Sequence, residues 1–118
     1  MKDDDRSIAE DLTDWGKVVL LETVGRTTGR PVSAAVGFVE DQDGSLLIAA
    51  GSDVADWALN LRVNPDCRAT IGERVATYEA TEVDGPDRSR AITQLILKYG
   101  TPAEKLGRGP VFRLREAP

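Results

Sequence analysis

No histidine occurs in the 118 residues. Serine–histidine–acid and cysteine–histidine catalysis are therefore excluded, as are histidine-ligated metal sites. The single cysteine, Cys67, excludes an internal disulfide and a thiolate metal cluster, and it suits a reducing, cytoplasmic setting. No apolar run approaches the ~20 residues of a membrane helix. The opening MKDDDRSIAEDL is acidic and has no apolar signal core, so neither export nor stable membrane insertion is expected. The net charge of −5, from 15 basic and 20 acidic residues, argues against a general nucleic-acid surface. The carboxylates fall mostly in turn-like and tail-like stretches, DDD, EDQD and DGPD, and are expected to be solvated. If the chain is an enzyme, a bound cofactor carries its chemistry, and no metal site is expected.

What is present reads as one soluble domain over residues 1–118, with 41% hydrophobic and 30% charged residues. Ile8, Leu12 and Trp15 fall at helical spacing, which predicts a short helix over 6–15. KVVLLET, 17–23, is a short β-rich run, and Val32 to Glu40 is the next strand. Asp43-Gly44 turns it back into SLLIAA, 45–50. Ser52 or Asp53 is the expected cap of a helix carrying Val54, Trp57, Ala58 and Leu61 on one stripe. Asn64-Pro65 ends that helix. A second hairpin pairs 67–71 with 74–83 around Gly72-Glu73, and Asp84-Gly85-Pro86 starts a helix that buries Ile92, Leu95, Ile96 and Tyr99. Gly100 ends it, and a loop leads to a last strand, 110–115. The reading is mainly β (α+β): about six antiparallel strands in a small closed or half-open barrel, with short flanking helices.

Three stretches could carry chemistry. GRTTGRP, 25–31, puts two arginines, two threonine hydroxyls and two glycines in seven residues. Its glycines let backbone approach an anion and its arginines give forked, charge-assisted bonds, but it lacks the glycine spacing and ending of a P-loop. A plain basic turn is an equal reading. AAGS, 49–52, joins a strand to a helix start, where backbone N–H groups favour an anion or a carbonyl oxygen, although taken alone a plain strand-to-helix turn with a serine cap explains it better. Trp57 and Asn60 stand three apart on a helix; an indole can pack on a ring and an amide can meet its edge, yet ordinary core packing explains Trp57 equally well.

Together these pieces form an ordered pattern: LLETVGRTTGRPV, then GFVEDQDGSLLIAAGS, then ADWALNLRVNPDCRATIG. It resembles the deazaflavin-dependent nitroreductase and quinone reductase family, most strongly over 18–83. The resemblance implies a split β-barrel that binds coenzyme F-420, whose C5 passes hydride to a small acceptor such as a quinone or a nitroaromatic. It implies cofactor contacts from Gly25, Arg26, Thr27, Thr28 and Arg30 in the first loop and from Val32 onward to Gly37. Ala49, Ala50, Gly51 and Ser52, with Trp57 and Asn60, complete that set. Where the family commonly carries cations, this chain has Thr27, Val32 and Ser52. Water, a hydroxyl such as Ser52 or Tyr99, or the cofactor itself is the expected proton source. FMN in the same groove, or a non-catalytic barrel binding a lipid or other small ligand, are the alternatives. The partners expected are a small-molecule cofactor and acceptor, with the protein a monomer or homodimer.

Overall fold

A computed structural model describes residues 18–99 and 109–117. The predicted helix over 6–15, the helix stop at Gly100 and most of the following loop lie outside these residues. Strands β1 (Val19–Val24), β2 (Pro31–Val36), β3 (Phe38–Glu40) and β4 (Leu46–Ala49) come first. Helix α1 (Asp56–Val63) follows, then β5 (Asp66–Ile71), β6 (Arg74–Val83), helix α2 (Gly85–Tyr99) and β7 (Val111–Glu116). All seven strands join one antiparallel sheet in the order β2-β1-β5-β6-β7-β4-β3.

That order contains the closure of the barrel. Its two outermost strands, β2 and β3, are successive pieces of one run, divided only at Gly37. The first piece pairs with β1 and the second with β4. The single strand expected over 32–40 is therefore a chain that leaves one sheet edge and enters the other. A Cβ on Gly37 would stand 3.1 Å from the Tyr99 ring, so the break falls where the ring of α2 needs room.

Inward positions alternate as a pleated strand requires. Val19 and Leu21 of β1, Tyr78 and Ala80 of β6, and Phe112 and Leu114 of β7 fill the barrel with Leu46 and Ile48. The apolar run of β4 is buried on both faces: Leu47 and Ala49 point the other way and pack beneath Ala91 and Leu95 of α2. Helix α1 packs on β1 and β2, with Ala58 and Leu61 in the barrel core. Trp57 is half-buried beside them, its ring 6.0 Å from that of Phe112.

The α1 start differs from expectation. The helix is capped by Ala55, which makes no side-chain cap bond. Ser52 Oγ instead accepts the Val54 N–H at 3.3 Å, a local turn that competes with helix. Val54 consequently lies outside the helix and is 70% exposed, so it leaves the predicted stripe. Pro86 does fall in the first turn of α2. The second hairpin has the expected turn, with Ile71 opposite Arg74 and Gly72 at φ 59°.

Candidate functional site

The β1–β2 loop is a closed, preformed turn. Gly25 N–H donates to Arg30 O at 2.8 Å and Gly29 N–H to Gly25 O at 2.8 Å. Gly29 sits at φ 73°, a left-handed conformation that glycine adopts without strain. The Arg30 N–H donates to Thr28 Oγ1 at 3.2 Å. The turn is therefore ordered before any ligand arrives, while Thr27, Thr28 and Arg30 are exposed at its surface. Among the described residues, the Arg30 guanidinium has no hydrogen-bond or ion-pair partner.

Asn60 of α1 holds this turn from below. It is 1% exposed. Its Oδ1 accepts the Arg26 N–H at 3.1 Å and Arg26 Nη1 at 2.8 Å, and its Nδ2 donates to Thr23 Oγ1 at 3.1 Å. Arg26 also reaches the Asp56 carboxylate at 3.2 Å. The amide bonds to the protein, pinning α1 to β1 and to the turn, and Asn60 also stands in the lining of the cavity beside that turn. Burial dictates this outcome, because a buried amide left unpaired would be costly.

A small cavity of about 210 Å³ opens where these groups meet, lined by Gly25, Arg26, Thr27, Thr28, Val32, Asp56 and Asn60. Six of these are residues expected at the site from sequence; Asp56 was missed, though its place in the first turn beside Trp57 could have signalled an arginine partner. A larger cavity of about 530 Å³ lies on the other side of the turn. Gly29, Pro31 and Val24 line it together with the Glu22–Arg68 ion pair, Thr77 and Ala117. Its volume falls within the ~300–1,000 Å³ of small-molecule sites. Cys67 also lines it, but the thiol is buried, donates weakly to Tyr78 O at 3.8 Å, and is pushed up to about 12 by burial. It is therefore unsuited to nucleophilic chemistry.

The second expected stretch is placed apart from the first. Ala49 and Ala50 are buried in the packing on either face of the sheet, and neither lines the 210 Å³ cavity. The Ala50 N–H donates to Pro110 O at 2.9 Å, and the Ala50 and Ser52 carbonyls lie so close to Gly109 that a Cβ there would collide with them. Gly51 is exposed, with open space beside it. Tyr99 stands against the strand break: its hydroxyl accepts the Phe38 N–H at 3.1 Å and donates to Phe38 O at 3.2 Å. Burial raises its pKa.

One carboxylate departs from the expected solvated surface. Asp41, in EDQD, is only 10% exposed in its side chain and lies between Arg113 at 2.6 Å and Arg90 at 2.8 Å. The Arg90 bond, then the Arg113 bond and the Gln42 N–H, hold its carboxyl well below the usual range.

Solved structures share this architecture. An F420-H2 dependent reductase, FDR-A, is 24% identical with a TM-score of 0.70, covering 84% of this chain and 94% of that one. HutZ, the haem storage protein from Vibrio cholerae, is 24% identical with a TM-score of 0.73, covering 92% and 87%. A haem-binding protein from Mycobacterium smegmatis is 18% identical with a TM-score of 0.68, covering 93% and 51%. These likenesses define the class by fold: a split-barrel protein, mostly β, with seven antiparallel strands and two helices among the described residues. Comparison with curated proteins returned no match. The F420H(2)-dependent quinone reductase family matches residues 3–108, and the chain belongs to that family. It is accordingly an oxidoreductase of the deazaflavin-dependent class. No helix among the described residues is long and apolar enough to cross a membrane.

Proposed function

We propose that this protein transfers hydride from reduced coenzyme F-420 to a small organic acceptor of the quinone or nitroaromatic type. The observation that carries the reading is the preformed 25–30 turn, in a chain that the quinone reductase family matches over residues 3–108. The turn fits an acidic group: Thr27, Thr28 and the Arg30 guanidinium, which has no partner among the described residues, are exposed on one ordered loop. These residues would hold the acidic tail of the deazaflavin, and Arg26, fixed by Asn60 and Asp56, would keep the loop in shape. The bound cofactor supplies the hydride, so the chain needs no side-chain nucleophile. The chain's own part is to bind, to orient and to exclude water, and the larger cavity beside Gly29 offers the room for a flat ring or acceptor. The lone, buried Cys67 supports a reducing, cytoplasmic setting. The haem roles printed for two neighbours are not carried over, because no histidine is present to serve as the usual axial ligand.

The chain carries Thr27 where its family commonly has lysine, which makes the reading testable. Thr27→Lys adds a cation to the turn. One charge-assisted bond contributes about 1.5–3 kcal/mol, or roughly 10- to 150-fold in affinity. That gain should shrink with salt, since a rim charge is screened over about 8–10 Å. Dissociation constants for the deazaflavin and for FMN, in parent and variant at two salt concentrations, give the answer. A larger, salt-sensitive gain for the deazaflavin, with oxidation of its reduced form by a quinone, supports the proposal. Tighter FMN binding favours a flavin protein. A folded variant with unchanged deazaflavin affinity removes the turn from the site, and a parent that binds neither cofactor is a non-catalytic barrel.

A further inference from the structure

The far end of the 31–40 run carries a second polar cavity, and its most buried group is incompletely bonded. The cavity, about 390 Å³, is lined by Asp41, Gln42, Asp43, Arg90, Arg113 and Arg115. The Arg113 side chain is only 9% exposed. Its Nη1 donates to Asp41 Oδ2 at 2.6 Å and to Ser45 Oγ at 2.7 Å. Its Nε and Nη2 have no partner among the described residues, although a guanidinium carries five donors in a planar fork. No buried side-chain nitrogen or oxygen among the described residues lacks a partner, so the unbonded edge of this fork reaches the cavity's solvent and is open to a ligand.

The surrounding charges set the sign of that ligand. Asp41 is saturated: Arg90, Arg113 and the Gln42 N–H occupy both its oxygens. Asp43 Oδ1 accepts from the Ser45 N–H at 2.9 Å and also from the Ser45 hydroxyl, leaving Oδ2 with only a long contact to Arg115 at 3.5 Å. Arg115 is 62% exposed and can swing over the cavity mouth. Three guanidiniums thus face two carboxylates across the lining, and both carboxylates are already engaged. Apart from Asp43 Oδ2, the free bonding capacity of the lining is made of donors.

We propose that this cleft between the β3–β4 hairpin, β7 and α2 binds a small oxyanion, a phosphate or a carboxylate, on the open fork of Arg113 and on Arg115. It is separate from the 25–30 turn: the two lie at opposite ends of the 31–40 run, up to about 30 Å apart at strand rise. The inference does not rest on the cofactor reading. Planar, forked donors recognise oxyanions and discriminate against chloride.

Inorganic phosphate is the first probe and acetate the second, each titrated against chloride at matched ionic strength. Binding is followed by calorimetry and by the Arg113 Nε–H resonance in nitrogen-15 spectra. Parent protein should bind an oxyanion in the cleft with displacement of the Arg113 resonance. Arg115→Ala should weaken it at least tenfold, and Arg30→Ala should leave it unchanged. Phosphate alone binding points to a phosphoryl ligand, and acetate binding equally points to a carboxylate one. The proposal is overturned if neither anion moves the Arg113 resonance, if Arg115→Ala binds as the parent does, or if Arg30→Ala abolishes binding, which would place the anion at the turn.

Discussion

Arg26 and Arg113 stand near opposite ends of the same strand run, and each reaches an aspartate on another element. The Arg26 side chain is 34% exposed and its partner Asp56 77%. The Arg113 side chain is 9% exposed and its partner Asp41 10%. Solvent screens the first pair, which contributes about 0–1 kcal/mol. The second is desolvated, so removing one member strands a buried charge. The same residue types therefore do different work. Near the turn, an arginine shapes a loop that can still meet a ligand. Near the hairpin, an arginine fastens β3–β4, β7 and α2 together. Burial alone separates the two roles.

The largest test of this contrast is Arg113→Met. It should destabilise the protein by about 3–5 kcal/mol, read from urea unfolding. A loss under about 1 kcal/mol would make the two ends equivalent. The pH dependence sharpens the point. Asp41 has its pKa lowered from 3.8, so its contribution is complete above that value and is lost as pH falls below it. Parent stability should show an acid-limb loss below about pH 4 that is reduced in Arg113→Met and Arg90→Gln.

Next is Trp57→Ala, at the α1 end. A fully buried aromatic costs about 3–5 kcal/mol to truncate, and a half-buried one should cost about 2–4. Thermal and urea melts that match the parent would show that Trp57 does not dock α1 on the barrel.

Asn60→Ala should cost about 1–3 kcal/mol, because it leaves Thr23 and the Arg26 N–H without their partner. Asn60 also lines the 210 Å³ cavity. A parent-like melting temperature with weakened cofactor binding would show that its amide serves the ligand rather than the fold.

Asp56→Ala is the smallest, within about 1 kcal/mol in stability. A loss as large as that of Arg113→Met would break the comparison outright.

Much of the architecture was legible. The 66–83 hairpin follows from period-two alternation around Gly72-Glu73, since only one face of those strands is covered. Tyr78 and Ala80 face in, while Thr77 and Glu79 are exposed. The stop at Asn64-Pro65 follows from the backbone restriction before proline. The division of 32–40 at Gly37 was not legible, because the contact that requires it comes from Tyr99, 62 residues later in the numbering. The helix start was misplaced for a local reason: Ser52 satisfies the Val54 N–H in a turn before the helix begins. At the site, glycine, threonine and arginine in one loop signalled the turn. Nothing in the spacing signalled that Asn60 would be used up beneath it, or that Asp41 of an acidic stretch would be buried beside Arg113.

The sequence by itself determined the chemistry available: no histidine, one cysteine, a basic glycine-bearing turn, and short alternating strands that must pair to bury one face. Those follow from residue identity and from backbone preferences that act over a few positions. The tertiary structure decided which polar groups stay open to a ligand and which are consumed in holding the barrel. That choice depends on desolvation, and desolvation is set by groups far apart in the chain: Asn60 over Thr23, Arg113 over Asp41, Tyr99 over Gly37.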